Sequence, residues 1–151
     1  MYRPEHQPAL ILLAEDDPDD RMLAMRAFEE SRLANTIHCV EDGEELLDYL
    51  NRTGVYAHPA HAPRPDLILL DLNMPRKDGR EALEEIKADP EFRRIPVVAL
   101  TTSQEEEDVS RLYDLGVNAF VTKPITFDGL CRAIKALGHF WFDIVQLPRF
   151  Y

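Results

Sequence analysis

The sequence predicts an α/β fold, a doubly wound parallel sheet of five strands with helices on both faces. Two observations lead to this prediction. Short apolar runs recur along the chain, and runs such as Leu10–Ala14 and Leu67–Leu70 lead into polar turn residues and then into helical patterns. A continuous apolar run bounded by turn signals is typical of a strand buried on both faces, as in a parallel sheet. Five strand–helix repeats joined by right-handed crossovers give this architecture.

The first unit opens with the predicted strand Leu10–Ala14. Asp17 caps the helix that follows, with Pro18 in the first helical position, and the helix continues to about Ser31. The next strand is predicted at Thr36–Val40, which alternates and contains β-branched residues. We expect this second strand to lie near an edge of the sheet.

A second helix and a long loop follow. Asp42 is a candidate cap for a helix over Glu44–Leu50. The predicted inward face of this helix is Leu46, Leu47 and Leu50. Thr53–Pro65 is predicted to be a loop without regular structure, because prolines at 59, 63 and 65 interrupt it. The loop holds His58 and His61, whose spacing invites a metal hypothesis, but a solvated insertion is the preferred interpretation.

Three further strand–helix units follow the loop. Each pairs an apolar run with a helical pattern, and Gly116 ends the fourth helix. The predicted elements are a third strand running into Asp71, the helix Arg80–Lys87, the strand Pro96–Leu100, a helix ending at Leu115, the strand Asn118–Val121, and a last helix from Phe127 to beyond His139.

Composition narrows the class of protein. The chain has 151 residues and a formal net charge of −11, which argues against a nucleic-acid partner because phosphate contacts need Lys and Arg patches. The two cysteines, Cys39 and Cys131, allow neither a disulfide framework nor a CxxC zinc motif. The apolar runs are too short to span a membrane, and the N-terminus lacks a signal-peptide pattern. We therefore expect a cytoplasmic protein without a membrane partner.

Polar residues collect where the predicted strands end. Glu15 and Asp16 follow the first strand and Asp71 ends the third. Thr101 follows the fourth strand and Lys123 the fifth. The carboxyl ends of parallel strands share one edge, where ligands bind in open α/β sheets. Converging carboxylates need a positive partner, and a few oxygen ligands suit Mg²⁺. The sequence therefore predicts a magnesium site with a hydroxyl and an amine beside it.

This set of side chains suits phosphoryl transfer, in which a protein mainly positions groups and neutralises charge. Asp71 would be the nucleophile, since a carboxylate can take a phosphoryl group as an acyl phosphate. Lys123 would supply a compact positive charge, and Thr101 a hydroxyl for a phosphoryl oxygen. Neither a P-loop motif nor a GxGxxG motif occurs, so the donor must already carry an activated phosphoryl group.

Four motifs, in this order, make the chain resemble the receiver domain of two-component response regulators. They are the acidic triplet Glu15–Asp17, the run DLNMPRKDG from Asp71 to Gly79, Thr101, and Lys123 followed by Pro124. The resemblance implies a flavodoxin-like fold with strand order 2-1-3-4-5. In that fold residues 9–138 form the receiver domain, and residues 1–8 are a flexible lead-in.

The resemblance also implies roles for individual residues. Asp71 would accept a phosphoryl group from a phosphohistidine on a sensor histidine kinase. Thr101 would then bond the phosphoryl group, and Phe120 would turn inward and so change contacts with other proteins. The implied ligands of Mg²⁺ or Mn²⁺ are Asp16, Asp71 and the backbone carbonyl of Asn73, with Glu15 in support.

Residues 139–151 form an aromatic tail. The last twelve residues hold five of the thirteen aromatic side chains, and aromatic residues are enriched at interface cores. We expect a homodimer through the last helix and this tail, with the contact residues Phe140, Trp141, Phe142, Ile144, Val145 and Leu147. DGREALEEIK at 78–87 and HFWFDIVQLP at 139–148 also resemble the stand-alone regulators paired with phytochrome sensor kinases, so the resemblance implies a phytochrome as the kinase.

Two other functions compete with this interpretation. One is a phosphate-independent interaction scaffold, although every side chain that phosphorylation needs is present. The other is a metal-dependent phosphatase. Phosphatases of the haloacid dehalogenase type also use an aspartyl nucleophile, but they need a second Asp two residues on, where this chain has Asn73. We therefore expect no turnover of external substrates, only self-dephosphorylation at Asp71.

Overall fold

The computed structural model describes residues 10–30, 36–58, 61–101, 106–122 and 126–138. The elements are β1 Leu10–Ala14, α1 Pro18–Glu30, β2 Thr36–Val40, α2 Gly43–Asn51, a 3-10 turn Gly54–Tyr56, β3 Leu67–Asp71, α3 Gly79–Ala88, β4 Val97–Thr101, α4 Glu106–Asp114, β5 Ala119–Thr122 and α5 Phe127–Gly138. The strands form one parallel sheet in the order β2-β1-β3-β4-β5. The predicted doubly wound fold is therefore confirmed, with β2 at an edge. None of the helices described is long and apolar enough to cross a membrane.

The sheet buries an apolar layer on each face. The helices α2, α3 and α4 pack on one face, over Ile68 and Leu70 of β3. The helices α1 and α5 pack on the other face, over Leu67 and Leu69. Each such side chain contributes roughly 1.5–3 kcal/mol when it is fully buried. All five residues of β3 are buried, so the strand that delivers Asp71 is fixed on both faces.

Aspartates fix where three of the helices begin. The Oδ1 atom of Asp17 accepts the backbone N–H two residues on, at 2.8 Å, just before Pro18 opens α1. Asp42 and Asp78 each accept the N–H three residues on, at 2.8 and 3.0 Å. Each bond satisfies a backbone donor that has no partner inside its helix. The caps predicted at Asp17 and Asp42 are therefore confirmed, and both lie beside the polar edge of the sheet.

The strand register aligns the residues that end the strands. Ala14 of β1 pairs with Leu70 of β3, so Glu15 and Asp71 are the next residues on neighbouring strands. Asp71 in turn pairs with Leu100 of β4. The carboxyl end of the sheet therefore brings the acids that follow β1 next to the acid that ends β3.

The prediction for the inward face of α2 was incomplete, and the prediction for the loop that follows was wrong in part. Leu46 and Leu50 are buried as predicted, and Leu47 is partly buried and packs against the same core, but Tyr49 also belongs to this face. A tyrosine can be buried here because its hydroxyl donates to the carbonyl of Pro63 at 2.8 Å and lies 3.1 Å from Nδ1 of His38. The loop at 53–65 also starts with the 3-10 turn, which precedes its prolines and so escapes their restriction.

Candidate functional site

Three carboxylates meet at the carboxyl edge of the sheet. Glu15 and Asp16 follow β1 directly, and Asp71 is the last residue of β3. One carboxylate oxygen from each lies within 4.8 Å of those from the other two. Glu15 is only 2% exposed and Asp71 only 4%, whereas Asp16 lies nearer to solvent. The structure therefore brings together the three acids that the sequence singled out.

The donor set fits a hard divalent cation. Mg²⁺ binds oxygen at about 2.0–2.1 Å with octahedral geometry, so its ligand oxygens lie roughly 3 Å apart when adjacent and roughly 4.2 Å apart when opposite. At the upper limit of 4.8 Å, two oxygens would have to approach each other by roughly 1.8 Å to become adjacent ligands. Three carboxylates held this close repel one another, and a cation between them removes the repulsion. Among the described residues, no other cluster of three or more potential ligands occurs.

Backbone N–H groups donate long hydrogen bonds to two of the acids. Oδ1 of Asp71 accepts the N–H of Asn73 at 3.3 Å, so the chain turns immediately after the strand. Oε2 of Glu15 accepts the N–H of Asp17 at 3.4 Å. Asn73 itself is exposed, and the role of its backbone carbonyl as a metal ligand stays a prediction.

The loop that carries Glu15 and Asp16 is tied to its neighbours through Arg21 of α1. The Nη1 atom of Arg21 donates to the backbone carbonyls of Glu15 at 2.9 Å and Asp16 at 3.2 Å. The Nη2 atom of the same guanidinium lies 3.3 Å from Oε1 of Glu41, just after β2. The N–H of Glu15 also donates to the carbonyl of Val40 at 3.0 Å, which extends the pairing of β1 with β2. The backbone of this acidic loop is therefore held from two sides.

The loop after Asp71 is held against the start of α2. The N–H of Gly43 donates to the carbonyl of Lys77 at 2.9 Å. A Cβ atom built on Gly43 would lie 2.2 Å from that carbonyl oxygen, so only glycine allows the approach. Arg76 has a φ of 62°, in the left-handed region that side chains rarely adopt, and its Nε lies 3.5 Å from Oδ2 of the buried Asp42. These contacts fix the second loop of the site.

Two ionisable groups next to these loops have shifted pKa values. A hydrogen bond to Glu85 raises the pKa of Lys77, so its ammonium stays charged and bound to α3. Burial raises the pKa of the Cys39 thiol, and the nearby charge of Arg21 opposes that rise. Both effects act on the Cys39 pKa, and burial is the larger.

Several predicted site residues lie partly or wholly outside the described residues. Thr101 ends β4 and pairs with Thr122 of β5, which places its backbone at the same edge as Asp71, but its side chain is not among those described. Lys123 lies outside the described residues. Phe120 is partly buried and packs against the core on the face that α2, α3 and α4 cover. The predicted dimer contacts also lie outside, namely Phe140, Trp141, Phe142, Ile144, Val145 and Leu147.

The two histidines of the 53–65 loop are neighbours but do not join the acidic cluster. The rings of His58 and His61 lie 5.2 Å apart between centroids, and both residues are exposed. Neither belongs to a group of three or more potential metal ligands among the residues described. The interpretation of the loop as a solvated insertion stays a prediction.

Sequence reasoning missed the residues that hold the two loops, which are Arg21, Gly43 and Arg76. Gly43 follows the predicted cap Asp42, and this sequence indicates where a helix starts. It does not indicate that Gly43 contacts Lys77. The left-handed φ of Arg76 has no signal in the residue type. Arg21 lies in the first turns of a helix whose start was correctly predicted. It follows the end of β1 by only a few residues, which could have suggested its contact with the Glu15 and Asp16 carbonyls.

Comparisons with known proteins identify relatives of this chain. A sequence model of the response regulator receiver domain matches residues 11–135. The response regulator Rcp1 of Synechocystis sp. is 42% identical over 141 residues, which are 93% of this chain and 94% of Rcp1. The match thus covers nearly the whole length of both proteins.

Solved structures give the same result. The phosphorylated cyanobacterial phytochrome response regulator RcpA has a TM-score of 0.87 and 44% sequence identity, and the alignment covers 95% of this chain and 100% of RcpA. The Mn²⁺-bound form of Rcp1 has a TM-score of 0.84 and 42% identity, with 94% of this chain and 100% of that one covered. This chain therefore resembles these relatives in its fold, its length and its sequence.

Proposed function

Because the chain belongs to the response regulator receiver domain family, we propose that Asp71 is its phosphoacceptor and that a sensor histidine kinase is the donor. The observation that carries the proposal is the buried acidic cluster. Asp71 ends the central strand β3, is 4% exposed, and shares one small space with Glu15 and Asp16. A buried carboxylate among other acids is costly unless a cation balances the charge, and such a cation can also bind a phosphoryl group.

In the proposed reaction a carboxylate oxygen of Asp71 attacks the phosphorus of a phosphohistidine. The new O–P bond forms as the P–N bond breaks, and the imidazole leaves with the electron pair and takes up a proton. The product is an acyl phosphate, the intermediate that carboxylate nucleophiles form in phosphoryl transfer. The hydrogen bond from Asn73 N–H to Oδ1, at 3.3 Å, helps to orient the carboxylate.

Mg²⁺ or Mn²⁺ fits the cluster, with Asp16 and Asp71 as ligands, the backbone carbonyl of Asn73 as a third, and Glu15 in support. Such a cation, when bound, neutralises the acids and polarises the phosphoryl oxygens. The Mn²⁺-bound structure of the relative Rcp1 supports the choice of metal. The chain itself supplies the arrangement of acids and the two loops that hold them.

We place the switch at Thr101, Lys123 and Phe120. Lys123 would neutralise a phosphoryl oxygen, and the Thr101 hydroxyl would bond another oxygen once the group is present. Phe120 of β5 pairs with Ala99 of β4 and is partly buried, which supports a side chain that can turn further inward. Phosphorylation would then favour one of two pre-existing arrangements of α4 and β5, and partners would read that arrangement.

The kinase partner that fits this chain is a phytochrome. Support comes from the relatives, since RcpA is described as a cyanobacterial phytochrome response regulator and is 44% identical over 95% of this chain. We further propose a cytoplasmic homodimer through α5 and the aromatic tail, without nucleic-acid or membrane partners. The receiver acts on its own Asp71 rather than on external substrates, and it loses the phosphoryl group by self-dephosphorylation.

Intact mass spectrometry after incubation with acetyl phosphate and Mg²⁺ tests the phosphoacceptor role. We expect one added phosphoryl group on the wild type, none on Asp71→Asn, and none after Mg²⁺ is chelated. Asp78→Asn is the matched control, since Asp78 follows the same loop but caps α3, and it should still be modified. An adduct that persists in Asp71→Asn would overturn the assignment, and a wild type that binds no beryllium fluoride would favour the scaffold.

A further inference from the structure

Both loops of the acidic cluster are connected to the same short turn, Glu41–Gly43, which joins β2 to α2, one of them through Arg21 and the other directly. This β2–α2 turn contributes no carboxylate to the cluster. It nevertheless reaches the loop after β1 indirectly, since Glu41 contacts Arg21, which donates to that loop. It contacts the loop after β3 directly through Asp42 and Gly43. If the cluster binds a cation as proposed above, this turn is placed to set the spacing of its acids.

The contact with the first loop passes through Arg21. Its side chain is 19% exposed, and one guanidinium nitrogen donates to two consecutive carbonyls, those of Glu15 and Asp16. The planar guanidinium presents several donors in a fixed geometry, so it can hold this backbone and reach Glu41 at the same time. Arg21 therefore fixes the backbone that bears two of the three acids, without touching their carboxylates through these bonds.

The contact with the second loop uses backbone and charge together. The 2.9 Å bond from Gly43 N–H to the Lys77 carbonyl joins the loop to the first turn of α2. Asp42 is 5% exposed, caps α2 through Oδ1, and directs Oδ2 towards Arg76. The same two residues therefore start a helix and hold the loop that follows Asp71.

We propose that Arg21 is a positioning residue for the metal site, and that the β2–α2 turn it reaches sets the distance between the two acidic loops. Without Arg21 the backbone at Glu15 and Asp16 would have more freedom, and a bound cation would have to order it. Removal of a group that orients metal ligands without binding the metal itself typically lowers metal affinity 10–100-fold. Arg21 is a positioning residue and not a ligand, because it is a cation itself.

The charge of Arg21 makes the proposal easy to test, because charge and positioning predict opposite results. A positive charge near the cluster repels a bound cation, so removal of that charge alone would tighten binding of Mg²⁺. Loss of positioning would weaken the same binding. The sign of the change therefore separates the two roles.

The experiment measures the Kd of Mg²⁺ by isothermal titration calorimetry for the wild type, Arg21→Met, Arg21→Lys and Arg26→Met. We expect about tenfold weaker binding in Arg21→Met. Arg21→Lys should also bind more weakly, because it keeps the charge and loses the planar set of donors. Arg26 lies exposed on the same helix, about 7.5 Å further along the axis, and its replacement should leave the Kd within twofold of the wild type.

Tighter binding in Arg21→Met, with Arg21→Lys equal to the wild type, would overturn the proposal and leave Arg21 a purely electrostatic role. Unchanged binding in both variants would overturn the proposal and leave Arg21 no role in metal binding. If Arg21→Met does not fold, Arg21→Lys alone decides. Circular dichroism of the metal-free variants shows which case applies. At saturating Mg²⁺ both variants should regain the phosphoryl adduct, since the acids themselves remain. Failure of the proposed function is distinguishable, because it would appear as a missing adduct in the wild type.

Discussion

Replacement of Gly43 by alanine tests how tightly the loop after Asp71 is held. The new Cβ would lie 2.2 Å from the Lys77 carbonyl oxygen, whereas real Cβ atoms essentially never come closer than 3.0 Å to another heavy atom. Either α2 or the loop must therefore move by roughly 1 Å, and the 2.9 Å bond between the two backbones would be lost.

The size of the effect follows from three contributions. The lost hydrogen bond costs about 1 kcal/mol, and forced displacement in a packed region costs about 1–3 kcal/mol. Alanine is the better helix former, which returns up to about 1 kcal/mol. We expect Gly43→Ala to lower the free energy of unfolding by about 1–3 kcal/mol, and to weaken Mg²⁺ binding as well.

Urea denaturation followed by circular dichroism measures the first effect, with the slope m expected to stay constant. Gly54→Ala is the control, because Gly54 has a φ of +60° while the nearest atom to an added Cβ is 3.7 Å away. It should cost roughly 1–2 kcal/mol through backbone strain and leave the Kd of Mg²⁺ unchanged. A Gly43→Ala protein as stable as the wild type, with normal metal affinity, would refute the close packing of this loop.

Three further predictions concern charge and burial. Mg²⁺ at 100 times its Kd should raise the free energy of unfolding by about 2.7 kcal/mol, measured by urea titration. Asp71→Asn should raise the stability of the metal-free protein and reduce the shift that Mg²⁺ causes. No shift in the wild type would argue against a cation site. Burial raises the pKa of Tyr49 from 10.0 to about 12. Between these values the folded state binds more protons than the unfolded state, so stability should fall as pH rises through that window. Tyr49→Phe should show a shallower fall of stability with pH, and a slope equal to that of the wild type would contradict the raised pKa of Tyr49. Burial lowers the pKa of Lys87, whose Nζ donates to the carbonyls of Arg93 and Ile95. Lys87→Met should lower the free energy of unfolding by about 1–3 kcal/mol, measured by urea denaturation. An unchanged urea midpoint would show that water replaces these hydrogen bonds.

The positions of the acids could be predicted because strand ends follow from simple patterns. The apolar run before Asp71 is short, continuous and bounded by turn residues, and β3 is indeed buried along its whole length. In a parallel sheet, the alignment of strand ends then follows from the topology. Glu15 and Asp71 come together for this reason, without any information beyond the sequence.

The support of the site could not be predicted in the same way, because it depends on long-range contacts between loops. The bond between Gly43 and Lys77 requires the exact approach of two segments that no local pattern relates. The positive φ of Arg76 is imposed by its surroundings, since arginine has no preference for that region. The burial of Tyr49 likewise depended on a distant acceptor, the Pro63 carbonyl, which no helical period reveals.

The most direct test of the account is to locate the phosphoryl group. The wild type would be phosphorylated with acetyl phosphate and Mg²⁺, the acyl phosphate reduced with borohydride, and the reduced residue identified by peptide mass mapping. We expect reduction at Asp71 alone, with Glu15 and Asp16 unchanged because Asp71 is the proposed nucleophile and they are not. Reduction at Asp16, or at an acid outside the cluster, would contradict the assignment of Asp71 as the acceptor.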